Sequence, residues 1–284
     1  MMFPSKGSTK RFALVSCLLL SVLALLGCQS LPFSQGANPA DGESLHEIIA
    51  RGSLRVGVSG TQPPLNMKNA NGELIGLDVE LASALASAMD VDLELVEIPF
   101  RELLNSLEAG DIDLVISSLT ITPARNARVA FAGPYLISGS SLLTRADLAS
   151  ELDSVTALNS ADRSWAALEN STGQRLILDA FPLARFVPIL DQEEAVERVA
   201  AGEIDGLVAD QPFVEYALVR NPSLDLETLA SPFTTEPLGI ALPPNSPLFA
   251  NLVQNYLNTL DYTGQLMQMK ARWMSAGDWL GDMP

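Results

Sequence analysis

An approximate internal repeat constrains the fold of this chain more than any other feature of its 284 residues. The sequence AGDID at residues 109–113 recurs as AGEID at residues 201–205. Each copy follows an amphipathic helical pattern and precedes an apolar run, and its glycine stands where the end of a helix favours a left-handed backbone. Two copies in the same context predict two similar lobes, each with a helix that leads into a buried strand.

Short apolar runs alternate with helical patterns along the chain. Hydrophobic periodicity predicts, in chain order, a strand at 54–58, a helix at 78–89, a strand at 92–98, a helix at 101–109 and a strand at 112–116. This alternation is typical of βαβ units, and it therefore predicts an α/β fold with mostly parallel sheets.

A polar residue stands just past the end of each repeated strand. Ser118 follows the first strand and Asp210 follows the second, at the same offset from the repeat. Ligands of open α/β sheets bind beyond the carboxyl ends of the strands. The repeat therefore predicts two ligand-binding loops, one in each lobe.

Two segments are predicted to connect the lobes. Residues 131–135 interrupt the pattern and lead into the second lobe, and residues 231–237 lead back. Residues 247–273 predict two helices on the first lobe, with a buried face formed by Leu248, Leu252, Tyr256 and Leu260. We therefore predict a first lobe of residues 44–135 with 237–284, and a second lobe of residues 136–236.

A motif at residues 117–125, with the sequence SSLTITPAR, carries groups that bind anions. Thr122 and Pro123 are predicted to be the N-cap and first residue of a helix, which leaves backbone N–H groups free. Thr120 adds a hydroxyl donor, and the planar guanidinium of Arg125 can bind a carboxylate through two hydrogen bonds. By itself the motif is equally compatible with a surface arginine near the start of a helix.

A carboxylate in the second lobe complements this anion site. Asp210 ends the run LVAD and suits an ammonium group, although it could also cap the helix that starts near Pro212. An anion site on one lobe and a cation site on the other together predict a clamp for a small zwitterion.

The N-terminal segment is predicted to be a processing signal. Lys6, Lys10 and Arg11 precede an apolar run at residues 12–26, which is shorter than the roughly 20 residues of a bilayer span. The run ends in LLGC and resembles the lipobox of bacterial lipoproteins, so Cys28 is the predicted lipidation site. An ordinary signal with a chance cysteine is the alternative. We predict a signal peptide at 1–28 and a flexible tether at 29–43.

Charge and cysteine content exclude several functions. The formal net charge is −17, and the basic leader makes the remainder more negative still, so nucleic acid is not an expected partner. Only Cys17 and Cys28 occur, which leaves one thiol after processing and no internal disulfide. The sole histidine, His46, lies near the start of the folded part. We predict no catalytic residue, no cofactor and no metal site.

The chain resembles the family 3 bacterial extracellular solute-binding proteins from about residue 45 to residue 273. The segments that carry the resemblance are GLDVEL at 76–81, TITPAR at 120–125, VAD at 208–210, LGIA at 238–241 and the terminal helices. The resemblance implies a two-lobe periplasmic-binding-protein fold of type II, in which each lobe is a mixed, mostly parallel sheet flanked by helices and two crossings form the hinge.

The resemblance also implies roles for particular residues. Arg125 and Thr120 would bind the α-carboxylate of a ligand, and Asp210 would bind its α-ammonium. The backbone of Ser117 and Ser118 would assist them.

Three further residues are implied in the side-chain pocket or near it. Phe100 would line the pocket, unless it belongs to the core. Gln62, before Pro63, stands where relatives often place an aromatic residue, so a polar contact could replace stacking. The Gly-Thr-rich turn of relatives is predicted at residues 159–164, where Asp162 would favour a cationic or amide-bearing ligand if it faces the cleft. The alternative, which we favour, is that Asp162 caps the helix predicted to start near Arg163.

These features predict a non-catalytic, monomeric protein that captures an amino acid for the permease of an ABC importer. The protein is expected to be periplasmic or extracytoplasmic and anchored to the membrane by lipid. One alternative is an enzyme similar to cyclohexadienyl or arogenate dehydratases, with Asp162 or another pocket carboxylate as the general acid. A second alternative is a sensory binding protein that acts on a receptor.

Overall fold

The computed structural model describes residues 45–152, 154–229, 231–275 and 278–282. The predicted signal peptide, the tether and Cys28 lie outside these ranges. The strands are β1 Ser53–Val58, β2 Thr61–Gln62, β3 Asn66–Lys68, β4 Leu74–Ile75, β5 Asp92–Glu97, β6 Leu114–Val115, β7 Ala130–Ser138, β8 Ser140–Arg145, β9 Ser164–Leu168, β10 Arg185–Ile189, β11 Gly206–Asp210, β12 Leu226–Thr228 and β13 Glu236–Leu242.

Helices alternate with these strands, as the sequence pattern predicts. They are α1 Leu45–Arg51, α2 Leu77–Ala88, α3 Leu103–Ala109, α4 Pro123–Asn126, α5 Ala146–Ala149, α6 Val155–Leu158, α7 Thr172–Ala180, α8 Gln192–Ala200, α9 Gln211–Arg220, α10 Pro247–Tyr262 and α11 Gln265–Met274. Short 3₁₀ segments at Phe100–Glu102 and Asp278–Asp282 complete the described elements.

The first lobe is built on a five-stranded sheet with the order β5-β1-β6-β13-β7. Strand β1 pairs in parallel with β5 and β6, whereas β13 runs antiparallel to β6 and β7. Neighbouring residues of β6 point to opposite faces, so Leu114 and Val115 belong to different apolar clusters. A small sheet, β2-β3-β4, accompanies this lobe.

The second lobe is built on another five-stranded sheet, with the order β10-β9-β11-β8-β12. Strand β9 pairs in parallel with β10 and β11, and β8 runs antiparallel to β11 and β12. Leu207 and Val208 of β11 lie in different clusters, so this sheet is also covered on both faces. Both sheets are mixed, and in both the three parallel strands run from one edge to the middle of the sheet.

The repeat has a common structural role in the two lobes. Gly110 and Gly202 have φ angles of +79° and +74°, as predicted for the ends of the preceding helices. The last aspartate of each copy secures a neighbouring strand, because Asp113 accepts a hydrogen bond from the backbone of Arg55 and Asp205 accepts one from the backbone of Ser164 (both 2.8 Å). The repeat therefore ends a helix and fixes the start of the adjacent strand.

The first crossing lies later than predicted. Residues 131–135 belong to β7, which stays in the first sheet up to Ser138, and the chain enters the second sheet only after Gly139. The two crossings touch at this point, since a Cβ atom on Gly139 would lie 2.2 Å from the carbonyl oxygen of Thr234. The apolar run at 130–138 continues as a strand because its pairing with β13 compensates for the interruption at Pro134.

The terminal helices pack on the first lobe as predicted, but with a shifted face. The residues of α10 that are buried in the core are Phe249, Val253, Leu257 and Leu260. Leu248 is 67% exposed, and Leu252 and Tyr256 are only partly buried. Residues spaced strictly four apart drift around a helix that has 3.6 residues per turn. The observed face mixes spacings of four and three residues and therefore stays on one side of the helix.

None of the helices in the described ranges is long and apolar enough to span a membrane.

Candidate ligand-binding site

The two loops predicted from the repeat meet between the lobes. The Ser118 hydroxyl donates a hydrogen bond to Oδ2 of Asp210 at 2.5 Å. Ser118 has a φ angle of +49°, which is uncommon for a residue with a side chain. Its backbone N–H donates to Asp78 at 2.9 Å, and this bond holds the loop in place.

Asp78 lies buried beneath this contact. Besides Ser118, its carboxylate accepts hydrogen bonds from Nδ2 of Asn66 and from the hydroxyl of Tyr135, both at 2.7 Å. Burial raises the pKa of Asp78 to about 6, although these three bonds act to lower it. The aspartate of the GLDVEL segment thus supports the loop that carries Ser118.

Asp210 presents a carboxylate to the space between the lobes. It occupies the N-cap position of α9, but its side chain makes no capping hydrogen bond there, so the capping alternative does not hold. Burial raises its pKa to about 7, and the negative charge of Glu236 adds to the effect. The hydrogen bond from Ser118 and the charge of Arg125 act in the opposite direction.

Glu236 is a second carboxylate at this site, and the sequence analysis did not single it out. Its Oε2 accepts hydrogen bonds from Thr120 at 2.7 Å and Thr172 at 2.6 Å. Its Oε1 accepts from Ser140 at 2.6 Å and Thr234 at 2.7 Å. Burial acts to raise the pKa of Glu236, but the four hydroxyl bonds hold it below its ordinary value, so the carboxylate is ionised.

Thr120 therefore lies at the cavity as predicted, but its hydroxyl proton is already donated to Glu236. A hydroxyl has one proton and two lone pairs, so Thr120 cannot donate to Glu236 and to a ligand carboxylate at once. In this structure it offers the cavity an acceptor, and its predicted bond to a ligand carboxylate stays a prediction.

Arg125 follows the predicted helix start. The Thr122 hydroxyl accepts a hydrogen bond from the backbone N–H of Arg125 at 3.2 Å, and Pro123 is the first helical residue. Because α4 is a single turn and this N–H is occupied, the helix start adds little to anion binding. The guanidinium is therefore the main group of the motif that is suited to an anion.

The guanidinium of Arg125 reaches across the cleft. It donates to the carbonyl oxygens of Thr120 in the first lobe and Asn170 in the second, both at 3.0 Å. Its Cζ lies 5.8 Å from the ring centre of Phe100, so Phe100 faces the cleft. Burial lowers the pKa of Arg125, which the charges of Glu236 and Asp210 oppose.

Gln62 lies in the wall of the same space. Its Oε1 accepts hydrogen bonds from the hydroxyls of Ser59 at 2.9 Å and Ser117 at 3.2 Å. Ser117 is fully buried and also accepts a bond from the backbone of Ser59, so it supports Gln62 from behind.

Asp162 does not lie at the site. It is exposed in the turn before β9, at the amino end of that strand, whereas the cleft lies at the carboxyl end. The side chains that reach the cleft come from the turn after β9, where Asn170 has a φ angle of +61° and Ser171 and Thr172 follow. The predicted turn at 159–164 was therefore placed one strand too early, because the apolar run at 164–168 was not assigned as a strand.

Two cavities lie at the cleft. The inner one is lined by Gln62, Phe100, Ser118, Thr120, Ser140, Leu168, Ser171, Thr172, Gly173, Gln192, Val208, Ala209 and Asp210. A wider and more open cavity shares Phe100, Ser171 and Thr172 with it and is also lined by Arg125.

Sequence reasoning missed Thr172, Ser140, Gln192 and Glu236. Thr172 could have been found by the rule that located Ser118, had the preceding strand been recognised. Glu236 carries a weaker signal, since it only follows two threonines at the second crossing. Within the described residues, no group of three or more histidine, cysteine, aspartate and glutamate side chains could hold a metal ion.

The chain is similar to proteins of one family along most of its length. The profile of the bacterial extracellular solute-binding proteins, family 3, matches residues 54–276. The ABC transporter arginine-binding protein 1 of Escherichia coli is 29% identical over 229 residues, which cover 78% of this chain and 90% of that protein.

Solved structures have the same fold. A putative ABC transporter binding component from Wolinella succinogenes, complexed with lysine, has 31% identity and a TM-score of 0.77, covering 81% of this chain and 99% of its own. An ancestral amino acid-binding protein, described as a precursor of cyclohexadienyl dehydratase, has 31% identity and a TM-score of 0.75 with the same coverage.

Proposed function

This chain belongs to the bacterial extracellular solute-binding proteins, family 3, with the two-lobe fold that the sequence predicted, and from this we propose that its solute is an amino acid delivered to the permease of an ABC importer. The observation that carries the proposal is the inner cavity, which has Asp210 in its wall while Arg125 lines the adjoining cleft. These are the opposite charges that a zwitterion needs, and they come from different lobes.

Binding is proposed to proceed by closure of the lobes. Asp210 takes the α-ammonium of the ligand, and the guanidinium of Arg125 exchanges its carbonyl partners for the α-carboxylate. Each bond involves an ionised group shielded from water, and such bonds contribute roughly 1.5–3 kcal/mol. A ligand that touches both lobes favours the closed form over the open form, and the closed form is what the permease receives.

Thermal unfolding tests the clamp. Wild-type protein screened against the twenty amino acids and common osmolytes should be stabilised by at least one amino acid, because a ligand present at about 100 times its Kd adds about 2.7 kcal/mol. Arg125→Ala should lose this stabilisation and keep the unfolding temperature of the ligand-free protein. Arg185→Ala, at an exposed arginine at the start of β10, is the control and should respond like wild type. Full ligand stabilisation of the Arg125→Ala protein would disprove the assignment.

Catalysis is the second candidate, and one observation favours it. A carboxyl group with a pKa of about 7 in the wall of a cavity, as at Asp210, is suited to general-acid chemistry. We propose that the chain is nevertheless a binding protein, because its cleft offers the groups of a clamp. Incubation with prephenate or arogenate decides between the two, since turnover that disappears in Asp210→Asn would establish the enzyme.

A lipid anchor and a monomeric state complete the proposal. The signal peptide would be cleaved before Cys28, which would carry the lipid, and residues 29–43 would connect the lipid to the two lobes. Incorporation of labelled palmitate into wild-type protein but not into Cys28→Ser is the expected result. Light scattering of the processed protein should give the mass of one chain.

A further inference from the structure

The wall of the inner cavity has an unusual hydrogen-bonding character. The protons of four hydroxyl groups in the wall are donated to protein carboxylates: Ser118 donates to Asp210, while Thr120, Ser140 and Thr172 donate to Glu236. An ionised carboxylate has no proton to give, so the direction of the three bonds to Glu236 is fixed, and that of the Ser118 bond is fixed whenever Asp210 is ionised. Each of these four hydroxyls then turns lone pairs, and not a proton, toward the cavity.

A second residue of the wall, Gln192, also offers a hydrogen-bond acceptor to the cavity. Gln192 begins α8 and lines the cavity, and its side chain is only 4% exposed. Among the described residues, its Oε1 has no hydrogen-bond partner. A buried acceptor without a partner is destabilising, so a ligand that donates a hydrogen bond to it gains affinity.

The acceptors exceed what one ammonium group can use. An ammonium has three N–H donors, whereas the wall presents the Asp210 carboxylate, the four hydroxyls and Gln192. Charge leads to the same conclusion, because Asp210, Glu236 and the underlying Asp78 carry three negative charges when ionised and Arg125 supplies one positive charge. A zwitterion leaves this negative excess unchanged, but a ligand with one more positive charge reduces it.

We propose that the cavity selects an amino acid with a positively charged side chain, and that Glu236 is the positioning residue that makes it selective. Glu236 does not line the cavity. It lies behind the hydroxyls and turns their protons away from the ligand. This inference rests on the proposed function, because it presumes an amino acid between the lobes.

Arginine and citrulline form the matched pair of probes. They have the same size, but the terminal group of citrulline is neutral and replaces a donor with a carbonyl acceptor. Wild-type protein in isothermal titration calorimetry should bind arginine at least about tenfold more tightly, since one charge-assisted hydrogen bond accounts for a difference of this size.

Glu236→Gln is the diagnostic variant. The amide nitrogen donates to the pair of hydroxyls at its position, from which the carboxylate oxygen accepted, so the protons of that pair turn away from residue 236 and the arginine-to-citrulline ratio should fall toward one. Glu227→Gln removes the same charge from an exposed position in β12 and should keep the wild-type ratio. A merely structural role of Glu236 would weaken both ligands equally and leave the ratio unchanged.

The outcomes separate this inference from the proposed function. Wild-type protein that binds citrulline or glutamine as tightly as arginine overturns the inference and leaves the amino-acid function intact. An unchanged ratio in Glu236→Gln overturns the role of Glu236. Absence of binding by every amino acid overturns both, and the wild-type measurement remains decisive even if the variant does not fold.

Discussion

At the scale of single residues, the hydrogen bonds of each buried carboxylate determine whether it is ionised. Asp210 and Glu236 differ in their hydrogen bonds: Glu236 has four hydroxyl donors and stays ionised, whereas Asp210 has the single bond from Ser118 and a pKa of about 7. Asp205, the aspartate that ends the second copy of the repeat, has a structural role instead, because its carboxylate accepts a hydrogen bond from the backbone N–H of Ser164.

The raised pKa of Asp210 predicts a pH dependence. Its value in the unfolded chain is near 3.8, so the folded protein binds more protons between about pH 4 and pH 7 and loses stability as the pH rises through this range. Asp78, with a pKa of about 6, acts in the same direction. Ligand-free Asp210→Asn should therefore lose less stability than wild type between pH 5 and pH 8 in thermal unfolding, and equal losses would contradict the assignment.

Ligand affinity should increase over the pH range in which the ligand-free protein loses stability. An ammonium needs the ionised form of Asp210, so wild-type affinity should increase as the pH rises from 5 to 8.

At the scale of elements, glycines fix how the helices start and end. Gly76 precedes α2 with a φ angle of +127°, and a Cβ atom there would lie 2.2 Å from the carbonyl oxygen of Leu65. The position of α2 determines the position of Asp78, and through it the loop that carries Ser118. A backbone requirement in one element is thus transmitted to the site.

Two glycine substitutions separate the cost of a positive φ angle from the cost of a Cβ atom that clashes with a neighbour. Gly72 also has a positive φ angle, +80°, but a Cβ atom there would have no neighbour within 4 Å. We expect Gly72→Ala to lower the free energy of unfolding by about 1 kcal/mol, and Gly76→Ala to lower it by roughly 3 kcal/mol or more because the clash adds to the strain. Urea unfolding measures both, and equal losses would show that the contact with Leu65 is unimportant.

At the scale of the whole molecule, contacts on two sides of the cleft hold the lobes together. At the cavity, Glu236 bonds Thr120 of the first lobe and Thr172 of the second. Elsewhere, Trp279 in the 278–282 segment lies 6.0 Å from Tyr216 of α9, ring centre to ring centre, and 5.7 Å from Trp273 of α11. These aromatic contacts connect a first-lobe helix to a second-lobe helix.

Trp279→Ala should therefore favour the open form without touching the cavity. A smaller closed fraction reduces apparent affinity in proportion, so we expect the Kd of the tightest amino acid to rise by about threefold to tenfold. Tyr262→Ala removes an aromatic side chain that is 85% exposed on α10 and should leave the Kd unchanged. An unchanged Kd in Trp279→Ala would show that these contacts do not stabilise closure.

The sequence by itself determined the features that depend on local pattern. The repeat, the helix ends at Gly110 and Gly202, the N-cap at Thr122 and the loop positions of Ser118 and Asp210 all follow from periodicity and capping chemistry. The face of α10 was predicted less well because a fixed spacing does not follow the helical period.

Only the tertiary structure decided which of these groups meet. Thr120 and Glu236 are 116 residues apart, and their bond exists because the second crossing brings the start of β13 beneath the cleft. Asp162 was misplaced for a different, local reason, since the apolar run at 164–168 was not assigned as a strand. Hydrogen bonds between distant segments depend on how the lobes close, and no local pattern encodes that geometry.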